Sequence, residues 1–344
     1  MSCAVCGAYG FIEVLREALD VVGVGTVNIG YGYCATCSHI HQTTPVPAST
    51  LDSYYATIGS GAQYFGRDKT TDRLLSLAPP KPGQSVYEVG CGNGRHLTEY
   101  RLDGFSSARG CEPSKTACEA ALEQYGLEID HGLEAEWLPQ QSGLDLIIYS
   151  GVLEHLTEPL QSLYRAREAL ADGGHLLIEV PVAAAPSALP PGWFAFEHLQ
   201  YYSAPAIERL LRAAGFSLIE SRINFVEFMY PVITILAGKG PVIDPRGGRE
   251  YLPVIERFLA DYIARDRAAW TRTALKLVNI GDCIVWGAGI HTSQLFDRIP
   301  AFKDMVSGCI DSDPNKRGLT LGDIPILSPE QYEAMKSDLP VVIS

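Results

Sequence analysis

The chain has 344 residues, 47% of them hydrophobic and 19% charged, which describes a soluble globular protein of two or three domains with ample material for a core. No apolar run approaches the ~20 residues of a membrane-spanning helix, and the start Met1-Ser2-Cys3-Ala4 lacks the basic segment and apolar stretch of a signal peptide, so a cytoplasmic address is expected. A net charge of −13 opposes a nucleic-acid partner, because phosphates are bound by clustered Lys and Arg, and a small molecule is the expected partner.

Nine cysteines without an export signal read as thiols or metal ligands rather than disulfides. Two pairs open the chain, Cys3-Ala4-Val5-Cys6 and Cys34-Ala35-Thr36-Cys37. The short spacing lets each turn present two sulfurs to one ion, and four thiolates close a tetrahedral zinc site. With no position left open the zinc is structural, folding a segment too small for its own core. His39 and His41 are alternative ligands, although Cys3, Cys6, Cys34 and Cys37 already suffice. This predicts a zinc-binding module over 1–47, ending in Thr43-Thr44-Pro45-Val46-Pro47.

A tyrosine-rich segment follows (Tyr54, Tyr55, Tyr64), then a helix near 70–77 that Pro79-Pro80-Lys81-Pro82-Gly83 stops. Beyond it, short apolar runs alternate with amphipathic stretches, the pattern of a parallel sheet covered by helices. Strands are expected at 85–89, 108–112, 144–150 and 175–181, and helices at 95–101, 114–125, 159–170 and 204–214. Gly104, Gly126, Gly173-Gly174 and Gly215 stand where those helices should end.

The strand ending Glu88-Val89 runs directly into Gly90-Cys91-Gly92-Asn93-Gly94. Glycines there let the backbone approach a ligand closely, but the same spacing could serve a dinucleotide. Two carboxylates decide. Glu88 would repel a pyrophosphate and suits the ammonium of an amino-acid moiety. Glu112 ends the next strand, where a carboxylate accepts hydrogen bonds from ribose hydroxyls, and Pro113 closes that strand. Together with the strand Leu144-Asp145-Leu146-Ile147, this set resembles the class I S-adenosylmethionine-dependent methyltransferases over roughly residues 82–219. The resemblance implies a Rossmann-like α/β core over 48–235 that binds S-adenosylmethionine. It puts Gly132-Leu133-Glu134 near the adenine, and Ser150 and the following Glu154-His155 beside the methyl donor. Glu154-His155 also reads simply as a structural helix start.

Trp193-Phe194-Ala195-Phe196-Glu197-His198-Leu199-Gln200-Tyr201-Tyr202-Ser203 is rich in aromatic and titratable groups. It follows a strand and precedes a helix that Ser203 could cap. A loop at a strand's carboxyl end faces the ligand crevice of this architecture, so His198 is a candidate base and Glu197 its orienting carboxylate. The paired cysteines, the methyltransferase core, this Glu-His-x-x-Tyr-Tyr-Ser element and a C-terminal glycine turn occur in one order. That order resembles the zinc-containing sugar C-methyltransferases, which act on nucleotide-linked keto-deoxysugars. The resemblance implies that His198 forms an enolate beside the ketone, that Tyr55 donates to the oxyanion, and that the sulfonium methyl is attacked by carbon. In one departure, that family usually carries Tyr-His just before Glu-His, where this chain has Ala195-Phe196. An O- or N-methyltransferase on another small metabolite, or a non-catalytic cofactor-binding scaffold, are the other readings.

Residues 251–278 read as a long helix or helix pair, leading to a partial Rossmann-like module within 236–344. There Trp286-Gly287-Ala288-Gly289-Ile290-His291-Thr292 follows a strand, and Asp311 ends the next apolar run. Thr292 replaces the third glycine of a dinucleotide loop, so a substrate-facing or structural role is expected, not nucleotide binding. The last residues, Val341-Val342-Ile343-Ser344, read as a strand rather than a natural terminus.

Overall fold

The computed structural model describes residues 2–44, 46–57, 69–225 and 230–344; Tyr64 and Pro45 lie outside them. The chain opens with three antiparallel strands, β1 (Phe11–Val21), β2 (Gly25–Cys34) and β3 (Ile40–Thr44). Helices α1 (Ala48–Thr57) and α2 (Lys69–Leu77) lead into a β/α alternation of β4 (Ser85–Val89), α3 (Arg95–Leu102), β5 (Ser107–Glu112), α4 (Lys115–Tyr125), β6 (Asp130–His131), α5 (Glu134–Trp137) and β7 (Leu144–Ser150). It continues through α6 (Pro159–Ala169), β8 (Leu170–Pro181), β9 (Gln200–Tyr201), α7 (Ala204–Ala213), β10 (Phe216–Phe225) and β11 (Pro231–Lys239).

The central sheet has the strand order β10-β11-β8-β7-β4-β5-β6, parallel from β8 to β6 and antiparallel at β10 and β11. Its middle strands are buried on both faces, as β4 (Val86 to Val89) and β7 (Leu146 to Tyr149) show, because helices cover both sides. The chain runs outward from β4 in two directions, through β5 and β6 on one side and β7 and β8 on the other. A crevice therefore opens at the carboxyl ends of β4 and β7, where this topology places ligands.

The four expected core strands and helices form, with local differences. Strand β8 starts at Leu170, so Gly173-Gly174 lie inside it instead of ending a helix. A β-carbon on Gly174 would stand 2.6 Å from the Leu144 carbonyl oxygen, so close strand approach explains this glycine. Ser203 sits at the N-cap of α7 but its side chain makes no capping bond. Pro113 precedes α4 without starting it; the Ser114 hydroxyl caps that helix by accepting from the Ala117 N–H. The β10–β11 hairpin lacks a clear sequence signal, and β10 is exposed along most of its length.

The first 47 residues do not close on themselves. β9, from far downstream, pairs with β3 and completes a four-stranded sheet β1-β2-β3-β9. The expected bridge is a single 26-residue helix, α8 (Leu252–Leu277). Its Ile255, Phe258, Leu259 and Tyr262 share one buried cluster with Tyr31, Trp193, Phe194 and Tyr201. The last module comprises β12 (Cys283–Trp286), α9 (Ile290–Arg298), α10 (Pro300–Lys303), β13 (Val306–Ile310), β14 (Thr320–Leu321), β15 (Ile324–Leu327), α11 (Pro329–Met335) and β16 (Val341–Ile343). They build a sheet ordered β14-β15-β13-β12-β16, parallel except at β14. Among the described residues no helix is long and apolar enough to cross a membrane.

Candidate active site

A cavity of about 1090 Å³ occupies the crevice. Its floor is the turn after β4. Gly90, Gly92 and Gly94 have φ of +67°, +55° and +75°, values that L side chains adopt only with strain. The Gly90 and Cys91 N–H groups both donate to the Cys111 carbonyl, at 2.8 and 3.1 Å, locking the turn against β5. Glu112 completes that lock, accepting from the Gly92 N–H at 3.0 Å and from the Ser114 N–H at 2.8 Å. Burial nevertheless outweighs these two bonds and raises its pKa, as expected for a carboxylate in low dielectric.

Glu88, Gly90, Cys91, Gly92, Asn93, Glu112, Pro113, Leu133, Glu134 and Ser150 all line the cavity. Gly94 does not; it is the left-handed N-cap of α3, and its missing side chain makes room for Leu127 at 2.9 Å. Glu88 is buried at the base. One oxygen accepts from His96 Nδ1 at 3.0 Å, and the other has no hydrogen-bond partner among the described residues. Glu134 is tied to Arg165 at 2.6 Å.

The opposite wall brings together residues from three segments. Glu154 and His155 come from the 3-10 turn after β7, Glu197 and His198 from the loop before β9, and Tyr55 from α1. His155 Nδ1 lies 2.9 Å from the Glu197 carbonyl oxygen and 2.7 Å from the Tyr55 hydroxyl. A carbonyl only accepts, so Nδ1 carries the proton and the Tyr55 oxygen accepts from it as well. The tyrosine proton is thereby left to point elsewhere, and His155 Nε2 keeps its lone pair. The His155 and His198 rings meet edge to face with centroids 4.8 Å apart.

Burial dominates the electrostatics of this wall. It pushes the Glu154 carboxyl up to about 8 and that of Glu197 up to about 7. It lowers His155 to about 4 and, with His155 as a neighbour, holds His198 well below the ordinary histidine range. The expected contact between Glu197 and the His198 ring does not form. The Glu197 loop carbonyl, not its carboxylate, engages a histidine, and that histidine is His155. Glu197 Oε2 and His198 Nδ1 are both buried without a hydrogen-bond partner among the described residues. Sequence reasoning also missed Arg73, which reaches from α2 to pair with Glu179 of β8 at 2.7 Å at the cavity edge. Nothing local in the sequence marks that contact.

The model of the methyltransferase-domain family matches residues 62–221, a span that includes β4 to β8 of the central sheet and the glycine floor. Residues 62–221 thus match a methyltransferase domain. The tRNA U34 carboxymethyltransferase of Pseudoalteromonas translucida is 32% identical over 118 residues, which are 32% of this chain and 36% of that relative. The namesake from Photobacterium profundum is 28% identical over 156 residues, 42% of this chain and 48% of the relative. The chain thus spans about a third to a half of the curated relatives it matches. Among solved structures, an S-adenosylmethionine-dependent methyltransferase from Mesorhizobium loti superposes with a TM-score of 0.42 at 15% identity, covering 48% of this chain and 95% of that one.

Outside the methyltransferase domain, Cys3, Cys6, Cys34 and Cys37 are all buried and their sulfurs lie within 4.8 Å of one another. Cys3 and Cys37 are 3.6 Å apart and Cys6 and Cys34 3.7 Å. A zinc–sulfur bond of ~2.3 Å makes the edge of a tetrahedral site about 3.8 Å, so the donor set fits zinc. Hydrogen bonding among the four thiols pulls Cys34 and Cys6 down and pushes Cys3 and Cys37 up. His39 Nε2 instead contacts Gln200 Oε1 at 2.8 Å and His41 Nδ1 the Gln42 carbonyl at 2.6 Å.

The C-terminal glycine turn is filled by its own chain. Asp311 accepts from the Ala288 and Asp313 N–H groups and pairs with Lys316 at 2.8 Å. The Thr292 hydroxyl donates to the Gly287 carbonyl and is hydrogen-bonded to the Ser344 hydroxyl. The carboxylate that would hold a ribose is thus committed to the protein itself.

Proposed function

We propose that the protein transfers the methyl group of S-adenosylmethionine to a carbon beside the ketone of a nucleotide-linked deoxysugar. The observation that carries this reading is that one cavity joins the glycine floor to the Glu197-His198 loop. On the donor side Glu112 holds the ribose hydroxyls, the open oxygen of Glu88 faces the cofactor's ammonium, and the adenine rests by Leu133. Four thiolates, Cys3, Cys6, Cys34 and Cys37, hold a structural zinc in the sheet that carries β9.

The sulfonium methyl is already electrophilic, so catalysis consists in making and orienting the nucleophile. A carbon acid must give up its proton to a positioned base while its oxygen meets a donor. Glu197 takes the proton through its carboxylate, because among the described residues no carboxylate is hydrogen-bonded to the His198 ring. Tyr55, whose oxygen is occupied by His155, turns its own proton to the developing oxyanion. Wild-type protein mixed with a nucleotide-linked keto-deoxysugar in heavy water, without cofactor, should exchange the proton beside the ketone. Glu197→Gln should lose at least about a hundredfold of that exchange while still binding S-adenosylmethionine. Equal exchange in both proteins would refute the assignment.

A second acceptor class has one observation in its favour. The curated relatives are named for tRNA, although the net charge of −13 works against a polyanion. Transfer of label from the cofactor to tRNA, with none to keto-sugars, would establish that acceptor and exclude the sugar.

A further inference from the structure

Glu154, His155 and His198 place one carboxylate oxygen and two ring nitrogens within 4.8 Å of one another. Glu154 Oε1 is 3.9 Å from His155 Nε2. All three residues line the cavity, and the group is left incompletely bonded. Among the described residues, Glu154 Oε2 and His198 Nδ1 have no hydrogen-bond partner, and both residues are nearly sealed from solvent. The His155 tautomer strengthens the case. Its Nδ1 proton is fixed by the Glu197 carbonyl and the Tyr55 oxygen, so Nε2 presents a lone pair toward Glu154. A second partner on the far nitrogen is how metal-binding histidines are oriented.

We propose that Glu154, His155 and His198 hold a divalent transition-metal ion at the acceptor end of the cavity. Two imidazoles and one carboxylate occupy one face of such an ion and leave positions open toward the cavity. Bonds of ~2.1 Å bring donor atoms to about 3–4 Å apart, which a small inward movement of these three side chains supplies. The open face suits an oxygen-bearing acceptor, whose carbonyl or enolate oxygen would lie on the ion. That use rests on the keto-acceptor reading, whereas binding of the ion itself does not. The site is separate from the four cysteines, whose thiolates select softer ions.

Mn²⁺ is the probe, because it favours nitrogen and oxygen donors over thiolates. Full-length protein titrated with Mn²⁺ and followed by electron paramagnetic resonance should bind one ion with micromolar affinity. Glu154→Gln and His198→Ala should each weaken it at least tenfold, with S-adenosylhomocysteine binding showing that each variant is folded. In the wild type, bound Mn²⁺ should broaden the imidazole resonances of His155 and His198, which decides the matter if a variant fails to fold. Absence of bound Mn²⁺ at millimolar concentration, affinities unchanged in both variants, or sharp His155 and His198 signals would each overturn the proposal. A protein that binds Mn²⁺ here yet exchanges no keto-sugar proton keeps this site and loses the keto-sugar reading.

Discussion

Gly90 and Gly92 share a positive φ but serve different ends. A β-carbon on Gly90 would stand 2.6 Å from Val152 Cγ2, whereas one on Gly92, which lines the cavity, meets nothing within 4 Å among the described residues. Gly90→Ala should therefore cost stability, about 1–3 kcal/mol from strain and contact together, measured by denaturant unfolding. Gly92→Ala should cost only about 1 kcal/mol in stability yet weaken S-adenosylmethionine binding more than tenfold by calorimetry. Equal losses of affinity in the two variants would show that the turn acts as a unit. The glycine turn and the two carboxylates beside it were legible in the sequence as structure. Glycines, Glu88 and Glu112 lie on consecutive elements, and their geometry follows from one strand-turn-helix unit. The acceptor wall is not local. Glu154 meets His198 only because the loops after β7 and before β9 converge, and Arg73 reaches Glu179 across the sheet edge.

At the level of elements, the buried parallel strands announced themselves through runs such as Leu144-Asp145-Leu146-Ile147-Ile148. The N-terminal strands did not. β2 contains Gly30 and Gly32, residues that weaken a strand pattern, yet a β-carbon on Gly32 would lie within 2.8 Å of the Ile12 carbonyl carbon. Their sheet also needs β9, which no pattern within the first 47 residues can reveal. The paired cysteines were the readable part. Cys34→Ala should remove bound zinc, measured by elemental analysis, and destabilise the chain by several kcal/mol, on the order of a lost structural metal. A variant that retains full zinc content and unfolds at the wild-type temperature would refute the structural site.

Across the whole molecule, Arg298 of α9 ties the last module to the first sheet. It contacts Glu17 of β1 and lies 3.7 Å from Asp266 of α8. Burial pushes the Glu17 carboxyl up to about 7 against the pull of Arg298. A carboxyl whose folded pKa exceeds its unfolded value binds more protons when folded. Its contribution to stability is therefore full below about pH 4.5 and is lost as pH rises through about 7. Wild-type stability should fall relative to Glu17→Gln across that window by about 3 kcal/mol; parallel profiles would show that Glu17 keeps its ordinary pKa. The joint between β3 and β9 carries a further consequence. Gln42 donates to the carbonyls of Phe196 and His198, and His39 contacts Gln200, so the strand next to the cysteine knot is also the mount of the acceptor wall. On the proposed zinc reading, chelation should blur where the acceptor sits while the cofactor still docks, so that the ion would act as a caliper for the substrate and not as a clasp for the fold alone.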